Sequence, residues 1–504
     1  MRWLTSQNLR LLAALILGLG LIPTAGTFAA TPPEISDQGI TDAVVDELAM
    51  DFAVTAATIN VSTTDGVVSL SGSTNNLLAK KRAARIARTV KGVRSVVNNI
   101  EVIPVVRTDD QIADDVETAL LMDPAADSYE ITTQVDNGVV TLSGTVESWQ
   151  ERNLAEKVAR GVRGVRSVTN SIEVDYDADR TDRDIKADIR QKLRWDKLVD
   201  GALINVAVNN DNVTLTGVVG SSAEKNRAIV DAWVNGVLSV DADDLKVERW
   251  ARDDDLRARK YVDKSDENIR EAVEDALLAD PRVGYFNVST EVENGVVTLR
   301  GTVEDLKAKR AAAATARQTV GVASVENRLK VRPADAIDNQ RIADRVENAL
   351  LIDPYVNRYE ISVTVENGIA RLYGTVDTFF EKSQADDIAA TVDGVIAVDN
   401  NIVVSDGYGV YPYDPYVDEW NAQDYAWYTY EPDYTLMSDS TIREEIIDEF
   451  FWSPFVDGGD ITVSVDDGKA TLTGTVDSWS ERYAATENAL EGGATWVVNE
   501  LTVQ

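Results

Sequence analysis

Lys80, Lys81, Arg82, Arg85, Arg88 and Lys91 stand on one stretch with no acidic residue between Leu77 and Gly92. The whole chain of 504 residues carries 85 Asp plus Glu against 49 Lys plus Arg, a formal charge of −36 at pH 7. The stretch is therefore a local reversal of sign. Its chemistry is electrostatic: it can meet anionic lipid headgroups, each near-surface base contributing about 1 kcal/mol, or it can be a solvated helix face balanced by acidic neighbours. Lys307, Lys309, Arg310 and Arg317 repeat the trend more weakly. A second unusual stretch is Ser405–Met437, with Tyr408, Tyr411, Tyr413, Tyr416, Tyr425, Tyr428, Tyr430 and Tyr434, half of the 16 tyrosines, beside Trp420 and Trp427. Tyr and Trp give amphipathic contact area at low entropic cost. Such a segment serves either as a recognition loop or as a linker covering seams between folded units.

Other chemistry is excluded by absence. The sequence has neither His nor Cys, so His-based triads, His or Cys zinc sites, thiolate nucleophiles, disulfides and a lipoprotein cysteine are ruled out. Carboxylate hydrolysis would need an Asp/Glu pair that stands out from 85 acids, and none does. Asp175, Asp177 and Asp179 mimic the start of a calcium loop, but Arg180 occupies the glycine position and Lys186 the final glutamate position. No cofactor, metal site or catalytic residue is expected. Nucleic acid is disfavoured as a partner, because phosphate affinity needs clustered positive charge.

The first residues read as an address. Arg2 and Arg10 flank an apolar run, Leu11–Ile22, and Thr27-Phe28-Ala29 offers a small-x-small cleavage site after Ala29. The run is short of the ~20 residues that span a bilayer, and no other segment is apolar enough to do so. The expectation is a signal peptide over 1–29 and a soluble, periplasmic mature protein, the alternative being an uncleaved anchor.

Six copies of one unit position these residues. They run over Asp37–Ile103, Thr108–Asp175, Thr181–Glu248, Ser265–Arg332, Asp338–Val404 and Ser438–Gln504. Each opens on apolar residues at i, i+4 and i+8, from Ile40/Val44/Leu48 to Ile442/Ile446/Phe450, the stripe of an amphipathic helix. Ser or Thr then Asp commonly precedes the stripe, as at Thr108, Thr181 and Ser265, an N-cap with acid at the positive end of the dipole. Asp-Pro ends it at Asp123, Asp280 and Asp353. A hairpin follows, its turn marked by Asp65-Gly66, Asn137-Gly138, Asn294-Gly295, Asn367-Gly368 or Asp467-Gly468. The third copy has Asp211-Asn212 there, predicting a looser turn.

Each second strand carries a glycine, Gly72, Gly144, Gly217, Gly301, Gly374 or Gly474, predicting a bulge or a close backbone approach. An Ala-rich helix comes next and ends at Gly92, Gly164, Gly236, Gly321, Gly394 or Gly493, expected as C-caps. These twelve glycines are structural. Asn98, Asn170, Asn327, Asn400 and Asn499 recur before the last strand and are read as closing a local turn. The order is α-β-β-α-β. The fold class is α+β, a tandem array of small modules.

The run Asn137-Gly138-Val139-Val140-Thr141-Leu142-Ser143-Gly144-Thr145-Val146, followed by Gly164-Val165-Arg166-Ser167-Val168-Thr169-Asn170, resembles the BON domain (bacterial OsmY and nodulation), as do the other copies. The third departs most, with Asp241-Ala242-Asp243-Asp244 in place of the Val-x-Asn motif. The resemblance implies a three-stranded mixed sheet on two helices and a binding role toward phospholipid or hydrophobic surface. It supplies no catalytic residues.

Short connectors such as Pro104–Arg107 suggest that neighbouring copies pack in pairs. The charged linker 249–264 is expected to divide a first trio from the rest. The function expected is that of a non-enzymatic periplasmic protein of envelope or osmotic stress. Its partners would be an anionic membrane surface or unfolded envelope proteins, held by many weak contacts. The alternative is a structural or assembly protein linking envelope components through module pairing or the aromatic linker.

Overall fold

The first helix of each module buries one stripe of side chains against a sheet. In the computed structural model, which describes residues 35–503 apart from 52, 124–130, 177–179, 249–250, 252–263, 281, 284–286, 334–336 and 406–436, α1 (Asp37–Met50) buries Ile40, Val44 and Leu48. Strands β1 (Ile59–Thr64) and β2 (Val67–Thr74), helix α2 (Leu77–Thr89) and strand β3 (Ser95–Val102) complete module 1. β1 pairs antiparallel and β3 parallel to β2, which lies in the centre. Val68 and Leu70 on β2 are fully buried under the two helices.

Module 2 repeats this with α3 (Asp109–Met122), β4 (Ile131–Asp136), β5 (Val139–Val146), α4 (Trp149–Arg160) and β6 (Ser167–Val174). Module 3 has α5 (Asp182–Trp195), β7 (Ile204–Asn209), β8 (Asn212–Val219) and α6 (Ser222–Ala232), and its third strand is split into β9 (Ser239–Asp241) and β10 (Leu245–Val247). The split falls where the Asp241–Asp244 run replaces the usual motif. Module 4 has α7 (Asp266–Leu278), β11 (Val288–Glu293), β12 (Val296–Val303), α8 (Leu306–Arg317) and β13 (Ser324–Val331). Module 5 has α9 (Asn339–Ile352), β14 (Ile361–Glu366), β15 (Ile369–Val376), α10 (Phe379–Thr391) and β16 (Ala397–Val404). Module 6 has α11 (Asp439–Trp452), β17 (Ile461–Asp466), β18 (Lys469–Val476), α12 (Trp479–Glu491), β19 (Trp496–Asn499) and β20 (Thr502–Val503). The fold is six α+β modules, each a three-stranded mixed sheet on two helices.

The hairpin turns show why Asp recurs at the first helical position. Asp109 reaches back with both carboxylate oxygens to the amides of Asn137 and Gly138, at 2.9 Å each. Asp37, Asp182, Asp266 and Asp439 do the same in their modules. One acid thus complements the helix N-terminus and satisfies two turn amides. In module 3 the turn residues are Asn210 and Asp211, at φ 48° and 63°, one place earlier than Asp211-Asn212. The turn is not looser than the others, because Asp182 holds it.

The strand glycines mark a close approach rather than a bulge. The strand register runs unbroken through Gly72, whose φ is +109° and where a Cβ would lie 2.1 Å from the Thr58 carbonyl oxygen. Five of the later glycines are not helix caps; Gly493 is one, following the Gly492 cap of α12 at φ +93° with its N–H on the Leu490 carbonyl. α2 ends at Thr89 with Val90 as its cap, and Gly92 sits beyond, in the turn into β3. There the hairpin and this turn meet, Arg94 N–H donating to the Gly66 carbonyl at 2.8 Å. Gly164 and Gly321 are pressed against Ile112 and Ile269 of the first helix, a contact that a side chain would fill. The recurrent asparagines also differ from expectation. Asn98 lies within β3, donates to the Lys80 carbonyl of α2 at 2.7 Å and accepts from Ile100 N–H at 3.2 Å. Asn170, Asn327, Asn400 and Asn499 make the same strand-to-helix tether.

Candidate interaction surface and the seams between modules

The acid that ends the first helix in five of the six modules is a junction. Asp51 accepts from Ala53 N–H at 2.9 Å and from Arg82 on α2 at 2.6 Å. Asp196 is matched by Leu198 and Arg227, and Asp353 by Tyr355 and Gln384. Each of these acids closes the turn after the first helix and ties it to the second. In the sequence it reads only as a helix stop, although its recurrence in five of the six copies was visible.

Three seams join modules that are mostly distant in sequence. In each, the amide just before the late glycine of one module donates to the last carbonyl of the first helix of another. Lys91 N–H donates to Trp452 O at 3.0 Å (modules 1 and 6), Arg163 N–H to Ile352 O at 2.8 Å (2 and 5), and Val320 N–H to Trp195 O at 2.8 Å (4 and 3). The bond satisfies a carbonyl that a helix C-terminus leaves open. Side chains finish each seam differently. Arg163 also donates to Asp353 O and Val356 O. Between modules 3 and 4, Lys197 N–H donates to Gln318 O at 3.0 Å, and Gln191 donates to Asp275 at 2.7 Å. Modules 3 and 4 therefore meet, although the linker between them was expected to mark a division, and two of the three pairs are not sequence neighbours.

The 1–6 seam concentrates acid. Glu47 of α1 and Glu449 of α11, both half-buried, occupy the same place in their repeats. Burial pushes the Glu47 carboxyl up from 4.5 to about 8, with Glu491, Asp46 and Asp51 adding to it. Burial likewise lifts Glu449 to about 8, with Glu47 the largest charge contribution and Asp448, Glu445 and Asp46 following. Lys91 brings the opposite charge, its ammonium 5.2 Å from the Phe451 ring centre. Among the described residues, no three carboxylates are arranged to hold a metal ion.

The six bases on and just after α2 are divided among contacts rather than lined up in solvent. Arg82 pairs with the buried Asp51 and lies 5.1 Å from the Phe380 ring centre of module 5. Arg85, Arg88 and Lys91 are half-buried, as is Lys80. Lys81 is exposed, and partial burial, then Arg160 of module 2, Arg88 and Lys80, lower its pKa from 10.5 to about 8. The counterparts on α8 also bridge modules: Lys307 pairs with Asp123 of module 2, and Arg310 with Asp386 (2.6 Å) and Asp387 (3.1 Å) of module 5. Lys309 is lowered by burial.

Aromatic groups at the start of the second helices also dock modules. Trp149 stacks on Trp233 of module 3, ring centres 5.1 Å apart, and Gln150 donates to the Trp233 carbonyl at 3.0 Å. In module 6 the equivalent Trp479 is 46% exposed, with Tyr483 one turn on at 45%. The ten aromatic residues proposed for Ser405–Met437, the signal segment and most of the linker 249–264 lie outside the described residues, as do Asp177 and Asp179. No helix among the described residues is long and apolar enough to cross a membrane.

Six sheet-on-helix units joined by helix-end seams, with charge and aromatic groups spread over their surfaces, define a tandem-module α+β protein. The BON domain family matches residues 36–104, 108–176, 181–249, 265–333, 338–406 and 438–504, and the chain belongs to that family. It is 30% identical over 146 residues to osmotically-inducible protein Y of Escherichia coli (strain K12), spanning 28% of this chain and 73% of the relative. It is 31% identical over 135 residues to the outer membrane lipoprotein DolP of Haemophilus influenzae, spanning 26% of this chain and 69% of that one. Among solved structures, the C-terminal domain of CdsD, a structural protein of the type III secretion system of Chlamydia trachomatis, aligns at 17% identity. That alignment covers 45% of this chain and 99% of that one, and its TM-score of 0.12 carries no argument.

Proposed function

We propose that the chain is a non-enzymatic protein of the bacterial envelope, acting under osmotic or envelope stress, that binds anionic phospholipid surface through repeated weak contacts. Export rests on the N-terminal address pattern. The setting follows the relatives, one named for osmotic induction and the other an outer membrane lipoprotein. The observation that carries the reading is the positive point around Lys81. On a chain of net charge −36, Lys80, Lys81 and Arg88 of module 1 come together with Arg160 of module 2, and partial burial first, then repulsion from these bases, lowers the Lys81 ammonium to about 8. An anion placed there relieves that repulsion, which is the energetic condition for binding one.

The test is co-sedimentation of the full chain with vesicles of anionic and of zwitterionic lipid at low salt. Anionic vesicles should bind, and Lys80→Glu with Lys81→Glu should weaken binding roughly thirtyfold or more, as the loss of two near-surface bases at about 1 kcal/mol each implies. Because Lys81 is lowered to about 8, its charge is complete well below pH 8 and is lost above it, so binding should fall across that range. No binding to anionic vesicles at low salt contradicts the reading. Unfolded envelope proteins are the other ligand of the same reading, with Ser405–Met437 as the contact; suppression of client aggregation with and without that segment tests it. Exposed Trp479 and Tyr483, at positions where module 2 uses Trp149 to dock a neighbour, favour a second reading, assembly with other envelope components through module pairing.

A further inference from the structure

The three seams share one backbone bond, yet they differ at one position of the first helix. That position, one turn before the end of the first helix, is Ala119 and Ala349 in the 2–5 seam and Lys192 and Ala276 in the 3–4 seam. In the 1–6 seam it is Glu47 and Glu449. One residue earlier, the 3–4 seam places Gln191 against Asp275, a donor against an acceptor at 2.7 Å. The 1–6 seam has Asp46 and Asp448 there. Two seams are therefore built from neutral or complementary residues, and the third sets carboxylate against carboxylate where the helices meet.

Like charges in a half-buried interface cannot all ionise without cost. From module 1, Glu47 is surrounded by Asp46, Asp51 and, across the seam, Glu491 of α12. From module 6, Glu449 faces Glu47 and Asp46 and has Asp448 and Glu445 on its own helix. Lys91 also stands on this seam, its ammonium over Phe451 while its amide holds Trp452 O. Asp51 is already held by Arg82.

We propose that the 1–6 seam is a proton-controlled clasp between the first and last modules, closed while Glu47 and Glu449 carry protons and released when they ionise, while the 2–5 seam stays shut. The direction follows from the raised carboxyls. Their contribution to the closed seam is complete below about 4.5 and is lost as pH rises through about 8. At pH 6 the clasp is closed; at pH 9 both carboxyls are charged and repel. Release frees Trp452 O and Lys91 together, so the end of α11 and the residues after α2 become available for other contacts.

The absence of native cysteine allows a direct experiment on the full chain, without lipid. One fluorophore pair is placed across the clasp at Asn60→Cys and Thr462→Cys, and another, in a separate sample, across the 2–5 seam at Thr132→Cys and Ser362→Cys. All four sites are exposed strand positions. Between pH 6 and pH 9 transfer across the clasp should drop, while transfer across the 2–5 seam holds. Adding Glu47→Gln and Glu449→Gln should remove the drop. Unchanged transfer across the clasp at pH 9 overturns the proposal. So does a parallel drop in both pairs, or a drop that survives the two glutamines. None of these outcomes depends on vesicle binding, so the lipid reading and the clasp fail separately.

Discussion

The 2–5 and 1–6 seams are the same joint built from opposite materials. Both hang on an amide donated to the last carbonyl of a partner's first helix. Around that bond the 2–5 seam places Ala119 and Ala349, brings Ile352 into the core of module 2, and lays the Arg163 guanidinium across two carbonyls. The 1–6 seam places Glu47, Glu449, Asp46 and Asp448. A backbone bond is worth only about 1 kcal/mol net, so the surrounding side chains decide whether the joint is permanent. The lesson is that repetition fixes where modules touch, while single substitutions within the repeat fix when they do.

Moving the difference should give the largest effect. Ala119→Glu with Ala349→Glu places two carboxylates in the seam that lacks them. Once ionised they should cost roughly 3 kcal/mol or more, and the 2–5 seam should open between pH 6 and 9 in the fluorescence experiment while staying closed in acid. A seam that remains shut at pH 9 would mean that the carboxylates are not what distinguishes the two joints. Weakening the permanent seam without adding charge should do less. Arg163→Ala keeps the backbone bond and removes the side-chain bonds to Asp353 O and Val356 O. It should cost roughly 2 kcal/mol, read as faster amide exchange along α9, and equally at pH 6 and pH 9. A loss confined to one pH would blur the comparison.

The modules were legible in the sequence because their physics is local. Stripes such as Ile112/Val116/Leu120 and turns such as Asn137-Gly138 report burial and handedness within a few residues, and they fixed the α-β-β-α-β order. Features that depend on a second element were misread. Asn98 looked like a turn residue because its partner, the Lys80 carbonyl, lies 18 positions back on another helix. Gly92 looked like a cap because nothing local reveals that a hairpin turn packs on it. The α2 bases looked like one face, but Arg82 reaches Asp51 and Phe380 in different directions. The seams were beyond reach, since the spacing within a repeat carries no record of which module it meets. One trace was nonetheless present: Glu47 and Glu449 interrupt a position that is alanine in three other copies.

Native-state hydrogen exchange at three equivalent amides, Lys91, Arg163 and Val320, tests the central claim most directly, because each makes the backbone bond that the three seams share. After correction for the intrinsic pH dependence of exchange, the protection of Lys91 should fall at least tenfold between pH 6 and pH 9 relative to Arg163 and Val320, as loss of about 1.4 kcal/mol implies. Lys91 holding the same protection as the other two at pH 9 would contradict it.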